Sequence, residues 1–182
     1  MYNLPMERWL YWPTRFAFIT QPFLANRQRY IKFGLAGHEG IDIRARRGTD
    51  ILCCANGTVS LVGWKTPDHA YGYAVRVVHE RPDGRYETIY AHGVEGSAKV
   101  KKGQTVKAGD VLMLADNTGN SAGSHLHLSL IKLKLVGENI TSDPVGLESR
   151  QWFRSKYGQL FIDPQAVMFS FEETQQMLKE KQ

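Results

Sequence analysis

Histidine and aspartate recur in this chain at spacings that chemistry can use. His125-Leu126-His127 sets two imidazoles two residues apart. On a β-strand such residues project from one face, so both rings address the same spot while Leu126 and Leu128 point to the opposite, apolar side. His38 and Asp42 stand four apart in Gly37-His38-Glu39-Gly40-Ile41-Asp42. The glycines at 37 and 40 argue against a helix, so a turn running into a strand is expected to aim both side chains at one centre. Imidazole nitrogen and carboxylate oxygen are standard zinc ligands at about 2.0–2.2 Å. Three protein ligands and a water make a catalytic zinc site, not a closed structural one. Remaining histidines, such as His92 at the end of Tyr90-Ala91-His92, can serve there as general acids or bases, because their unperturbed pKa lies near neutrality. Each pair is weak evidence alone, since alternating strands produce His-x-His by chance. His69 and His79 are read as surface or hairpin residues. Glu39 is expected to face away from the site, at the surface or behind it.

The elements that must carry these residues read as short strands between glycine turns. Residues 51–55, the turn signal Asn56-Gly57 and residues 58–64 form one such unit. Residues 73–80 alternate: Val75, Val77 and His79 face one way, Ala74, Arg76 and Val78 the other. Pro82-Asp83-Gly84 then predicts a turn and residues 86–92 the returning strand of an antiparallel hairpin. Glycines 103 and 109, each followed by a polar residue and a valine, suit tight turns before a strand at 111–115. A loop of small residues, 117–124, leads to an alternating strand at 126–136. The expected fold is mainly β, a folded antiparallel sheet or sandwich-like groove. Residues 1–33 are aromatic and irregular. Residues 142–164 hold Pro144, Gly158 and Pro164 among Trp152, Phe153, Tyr157 and Phe161. Residues 171–182 predict a short polar helix, with Glu172 and Glu173 early and Lys179 and Lys181 late, as the helix dipole prefers. Gly34, Gly37, Gly40, Gly119 and Gly123 fit a groove that admits a backbone-like substrate, and also plain turns. Tyr71, Tyr73 and Trp64 are candidates to line that groove or to pack the hairpin.

With 182 residues, 42% apolar and 23% charged, the chain has the composition of a globular protein and the size of one domain, 1–182. The core is expected over about 20–135, with an aromatic N-terminal extension 1–19 and a C-terminal extension 136–182. The apolar start is broken by Pro5, Glu7, Arg8, Pro13 and Arg15, unlike a signal peptide or membrane span. The net charge of +5 favours polyanions: nucleic acid, acidic membrane surfaces or an anionic cell wall. The clusters Arg44/Arg46/Arg47 and Lys99/Lys101/Lys102 come with no nucleic-acid motif, so no nucleic-acid partner is expected. Cys53 and Cys54 are adjacent, which disfavours a disulfide between them and predicts buried thiols.

Four ordered blocks add a resemblance. Gly37-His38-Glu39-Gly40-Ile41-Asp42-Ile43, Tyr71-Gly72-Tyr73, Tyr90-Ala91-His92 and Gly119-Asn120-Ser121 leading to His125-Leu126-His127 are similar to the signature of the lysostaphin/LytM-type peptidoglycan endopeptidases. Ala55-Asn56-Gly57-Thr58-Val59 and residues 100–109 follow the same order, and Asp163-Pro164 echoes the closing segment. The resemblance covers about 20–132 and implies a duplicated-hybrid-motif groove with one zinc ion on its floor. It implies His38, Asp42 and His127 as zinc ligands, and His92 and His125 as the catalytic histidines. It also implies a peptidoglycan peptide as substrate and a cell-envelope or extracellular location. Ser121-Ala122-Gly123-Ser124 departs from it, where relatives often carry threonine and proline. Some relatives have lost ligands and act as activators, so a non-catalytic wall-binding module is the alternative; all five positions filled here favours an enzyme. A biotinyl or lipoyl carrier, suggested by residues 100–111, would need a modifiable lysine beside methionine, and none is present.

Overall fold

The structure is a computed structural model and describes residues 7–66, 69–133 and 152–180. In chain order the elements are β1 (Ile19–Gln21), α1 (Arg27–Ile31), β2 (Ile41–Arg44), β3 (Asp50–Leu52), β4 (Gly57–Gly63), β5 (Tyr73–Arg81), β6 (Gly84–Gly93), β7 (Thr105–Val106), β8 (Val111–Leu114), β9 (His125–Lys132), β10 (Trp152–Arg154), β11 (Leu160–Ile162) and α2 (Phe171–Lys179). The main sheet runs β1-β2-β9-β6-β5-β4-β7, all antiparallel, and β3 pairs with β8 in a second, two-stranded sheet. The mainly β fold expected from the sequence is the one observed, with α2 as the short C-terminal helix.

β9 is the central strand. One edge pairs with β6. The other is shared by β2, along 125–128, and by β11, along 130–132. Alternation sorts the side chains. Leu126, Leu128 and Leu130 lie opposite Ile43, Ile41, Tyr90 and Thr88 on one face, and all of these side chains are fully buried. Asp42, His127, Ala91 and Ser129 occupy the opposite face. A period of two thus separates core from chemistry within the same strands.

The β5–β6 hairpin forms as expected, closed by Pro82-Asp83 with Arg81 opposite Gly84. Gly84 has φ of 138°, a conformation open to glycine and strained for other residues. Asn56-Gly57 behaves differently from a hairpin turn. β3 pairs with β8 while β4 pairs with β5 and β7, so this step carries the chain from one sheet to the other. Gly57 is required by close approach, because a Cβ there would sit 2.4 Å from the Val78 carbonyl oxygen.

The flanks are more ordered than their composition suggests. Residues 152–162 form a hairpin that extends the sheet at β11. β1 and α1 fall within the stretch read as irregular. Leu10 and Trp12 join the central apolar cluster, and the backbone N–H groups of Tyr11 and Trp12 donate to the Cys54 carbonyl and the Thr174 hydroxyl at 2.7 and 2.9 Å. α2 begins with a reciprocal cap: the Ser170 hydroxyl accepts from Glu173 N–H, and the Glu173 carboxylate accepts from Ser170 N–H. Among the described residues no helix is long and apolar enough to cross a membrane. The expected strand residues 134–136, Pro144 and the helix end 181–182 lie outside the described residues.

Cys53 and Cys54 are both free and buried, as expected. His79, read as a surface or hairpin residue, belongs to the hairpin: it is 1% exposed and faces the core from β5, opposite Tyr86. Its Nδ1–H donates to the Asn56 carbonyl at 2.8 Å, and Nε2 accepts from the Thr88 hydroxyl at 2.8 Å. Burial pushes its pKa down to about 4. Between about pH 6.5 and pH 4 the unfolded chain therefore binds a proton at His79 that the folded chain refuses. Its contribution to stability is present above pH 6.5 and falls with pH by up to about 3 kcal/mol. Urea unfolding at pH 7.5 and pH 4.5 is expected to show a smaller acid-induced loss for His79→Gln than for the wild type. Equal losses in both would show that His79 titrates normally.

Candidate metal centre

His38 precedes β2, Asp42 lies on it, and His127 lies opposite Asp42 on β9. The turn that offers His38 presses against β9. A Cβ at Gly40 would stand 2.3 Å from the Leu128 carbonyl oxygen and 3.0 Å from the His127 ring, so a glycine is needed there. The expected turn into a strand is what forms.

Three ligand-type atoms converge. His38 Nε2 and His127 Nδ1 are 2.9 Å apart, His127 Nδ1 and Asp42 Oδ1 are 2.9 Å apart, and His38 Nε2 and Asp42 Oδ1 are 3.1 Å apart. Atoms each about 2.0–2.1 Å from one ion and spread at the tetrahedral angle would be about 3.3 Å apart. The outer contacts point the same way. His38 Nδ1 meets the Pro22 carbonyl oxygen at 3.1 Å and so carries the ring's proton, which leaves the Nε2 lone pair facing inward. His127 Nε2 meets the Ser129 hydroxyl at 2.7 Å on the side away from the centre. Two imidazole lone pairs and a carboxylate oxygen in van der Waals contact repel each other unless a cation or protons lie among them. The donor set therefore fits a divalent metal of the zinc type.

Two further imidazoles stand beside the three. His92, next to last on β6, has φ of 62°, a left-handed backbone that non-glycine residues rarely adopt. The β5–β6 register slips between Tyr73 and Val75, opposite Gly93 and Tyr90, so Ala91 and His92 form a bulge. Bulges re-aim side chains, and this one brings the His92 ring to 4.8 Å from His125 and 5.9 Å from His127, centroid to centroid. His92 Nδ1–H donates to the Thr118 carbonyl at 2.7 Å, and His125 Nδ1–H to the Gly123 carbonyl at 2.7 Å. Each ring is thus held through Nδ1, with Nε2 left for chemistry; His125 Nε2 lies 3.4 Å from Asp42 Oδ1.

Electrostatics separates these groups. Burial would raise the Asp42 carboxyl, but the imidazoles of His125, His127 and His38 gathered around it outweigh that effect and hold the group well below the usual carboxylate range. Burial, with His127 and His125 nearby, pushes His92 down to about 3. Burial also acts against a charged His125, yet the hydrogen bond and charge of Asp42 prevail and raise it above the ordinary imidazole value.

A family model described as Peptidase family M23 matches residues 36–144, well over half of the chain. The chain belongs to peptidase family M23. It is 37% identical over 113 residues to an uncharacterized metalloprotease of Haemophilus influenzae, covering 62% of this chain and 22% of that one. It is 33% identical over 114 residues to the peptidoglycan DD-endopeptidase ShyA of Vibrio cholerae, covering 62% of this chain and 24% of that one. The chain thus spans less than a quarter of the length of either relative. Among solved structures, a zinc containing peptidase from Vibrio cholerae superposes with a TM-score of 0.56 at 29% identity, over 68% of this chain and 37% of that one.

All five residues singled out in this M23 chain are brought together. His69 and Glu39 are not plain surface residues. His69 stacks near Tyr71, with ring centroids 5.1 Å apart, and Tyr71 in turn stacks on His127 at 5.3 Å. Of the three aromatics expected to line the groove, Tyr71 touches the site, whereas Tyr73 is buried in the core and Trp64 packs against it; Tyr30 also lies against the site, its ring 5.5 Å from that of His38. Of the two places expected for Glu39, the surface or behind the site, the structure shows the second: it is buried at 9% exposure, with Oε1 4.0 Å from His127 Nε2. Ser129 and Thr118 carry no motif and were not foreseen; Ser129 is marked only by its place two residues after His127 on the same face.

Thr118 shapes the loop that holds His92. Its hydroxyl donates to the Gly93 carbonyl at 2.7 Å and accepts from Tyr73 N–H at 3.0 Å. Thr118→Val keeps the shape and removes both bonds. Urea unfolding is expected to show a loss of about 2 kcal/mol; a loss below about 0.5 kcal/mol would mean that the loop is held by other contacts.

Proposed function

We propose that this chain is a zinc-dependent endopeptidase that hydrolyses peptide cross-links of bacterial peptidoglycan, at the cell envelope or outside the cell. The observation that carries the reading is the triangle of His38 Nε2, Asp42 Oδ1 and His127 Nδ1, with two more imidazoles against it. His38, Asp42 and His127 would hold one zinc ion. When bound, zinc supplies Lewis-acid polarisation of a carbonyl and brings the pKa of a water down toward about 7. Membership of a peptidase family and a relative named as a peptidoglycan DD-endopeptidase support the substrate class.

The remaining steps belong to side chains of this chain. His92 and His125 have their Nδ1 protons committed to the Thr118 and Gly123 carbonyls, so Nε2 of each presents to substrate. One Nε2 accepts a proton from the attacking water; the other donates one to the departing amine, which completes hydrolysis without a covalent acyl-enzyme. In their protonated form these groups also stabilise the negative charge that develops on the scissile carbonyl oxygen. Asp42 contributes the negative charge that retains a cation between two neutral imidazoles. Holding both rings by backbone carbonyls fixes their orientation before substrate arrives, which lowers the entropic cost of reaction.

Purified protein is expected to contain one equivalent of zinc and to release new amino termini from purified peptidoglycan, read by mass spectrometry. His127→Ala should lose both. His92→Ala and His125→Ala should keep zinc while kcat falls by about 10²–10⁴-fold. Full lytic activity in zinc-free His127→Ala would refute the reading. Wall binding with no new amino termini would favour a non-catalytic module on the same fold.

A further inference from the structure

The sheet face that carries the metal-type cluster continues into charge that the proposed reaction does not use. Arg44 stands two residues after Asp42 on β2, so alternation returns its side chain to the face of Asp42 and His127, away from Ile41 and Ile43. In register it lies directly opposite His125 on β9. On its other side its backbone N–H donates to the Phe18 carbonyl at 2.9 Å, beside the pairing of Ile19 with Ile43. Phe18, Arg44 and His125 thus form a row across three neighbouring segments, next to the row that holds Asp42 and His127. Nothing covers its outer part: Arg44 is exposed and Phe18 is 59% exposed.

The fold makes no use of the Arg44 charge. Neighbouring carboxylates are committed elsewhere. Asp116, bridged to His125 through the backbone, holds Arg47 at 3.4 Å, and Asp42 faces the imidazoles of His38, His125 and His127. Among the described residues no ion pair forms at Arg44, and Arg46 beyond it is exposed as well. A guanidinium presents a planar fork of donors that matches the two oxygens of a carboxylate. Two residues along a strand span about 6.6–6.8 Å, and an extended substrate chain advances about 3.3–3.6 Å per residue. With its scissile carbonyl at the converging ligand atoms, such a chain places a group about two residues away beside Arg44.

We propose that Arg44 is a specificity-determining residue that binds a carboxylate of the substrate peptide, about two residues from the scissile bond. It selects an anionic cross-linked peptide, with free carboxylates beside its amide bonds, over a neutral run such as polyglycine. The inference rests on the endopeptidase reading above and deepens it by assigning the charge of the substrate to a residue outside the five that form the centre.

The test gives the zinc-loaded full chain a matched pair of cross-linked peptides of the peptidoglycan type. They differ only in the carboxylates within two residues of the scissile bond, free in one and converted to primary amides in the other. The ratio of kcat/KM for the two peptides is read in wild type, Arg44→Gln and Arg44→Lys. Wild type is expected to favour the free acid by about tenfold, with the preference shrinking as salt rises. Arg44→Gln should lose the preference, and Arg44→Lys should keep part of it, since it retains the charge without the fork. A merely structural role would lower kcat/KM for both peptides by the same factor and leave the ratio in place. Equal kcat/KM for the two peptides in the wild type, or an unchanged ratio in Arg44→Gln, would overturn the inference while the endopeptidase reading stands. A zinc-loaded wild type that cuts neither peptide nor purified peptidoglycan would overturn both.

Discussion

Mutual repulsion among three electron-rich atoms is the constraint on which the rest of the structure depends. His38 Nε2, Asp42 Oδ1 and His127 Nδ1 meet within 3.1 Å of each other on a largely buried sheet face. Without a cation or a proton between them, their lone pairs repel. They are held by the Pro22 carbonyl behind His38, the Ser129 hydroxyl behind His127 and the β2–β9 ladder under Asp42. The energy spent on this convergence is recovered only when positive charge enters. Close packing at Gly40 and the Leu126, Leu128 and Leu130 face of β9 make the strands too rigid to relax away from it.

Much of this could be read from the sequence, because alternation on a strand is a strict rule. His125 and His127 had to share a face, Leu126 and Leu128 had to share the other, and glycines beside His38 pointed to a turn entering a strand. The β5–β6 hairpin was legible from Val75, Val77 and Pro82-Asp83-Gly84 for the same reason. What escaped are contacts between residues distant in the chain. Asn56-Gly57 carries a hairpin signal, yet which strand pairs with β3 is decided by packing against β8. His79 could be placed on the hairpin but not in the core, because nothing local reveals that Trp9, 70 residues earlier, lies against its ring at 5.4 Å. For Glu39 the sequence left two places open, at the surface or behind the site, and the approach of β9 decides between them. Residues 152–162 lacked a clear period because each of their strands has only three residues.

The two imidazoles beside the metal-type cluster are positioned by unequal means. His125 continues the regular pleat of β9 and is steadied by the loop at Gly123. His92 needs a bulge, a left-handed backbone and a hydrogen bond to Thr118 to reach the same place. Backbone strain of this kind costs on the order of 1 kcal/mol or more and persists only where surroundings enforce it. Here the enforcement comes from the loop at 118–119, which lies so close to Gly72 that a Cβ on Gly119 would stand 2.4 Å from the Gly72 nitrogen.

The paired thiols bear on where such a protein can work. Cys53 and Cys54 are its two cysteines, both are fully enclosed, and burial raises both thiols, Cys53 to about 11. Oxidants and disulfide-exchange catalysts act on accessible thiolates, and neither residue presents one once folded. Once folded, this chain therefore offers neither thiol to an oxidant or a disulfide-exchange catalyst, and its core is closed to both.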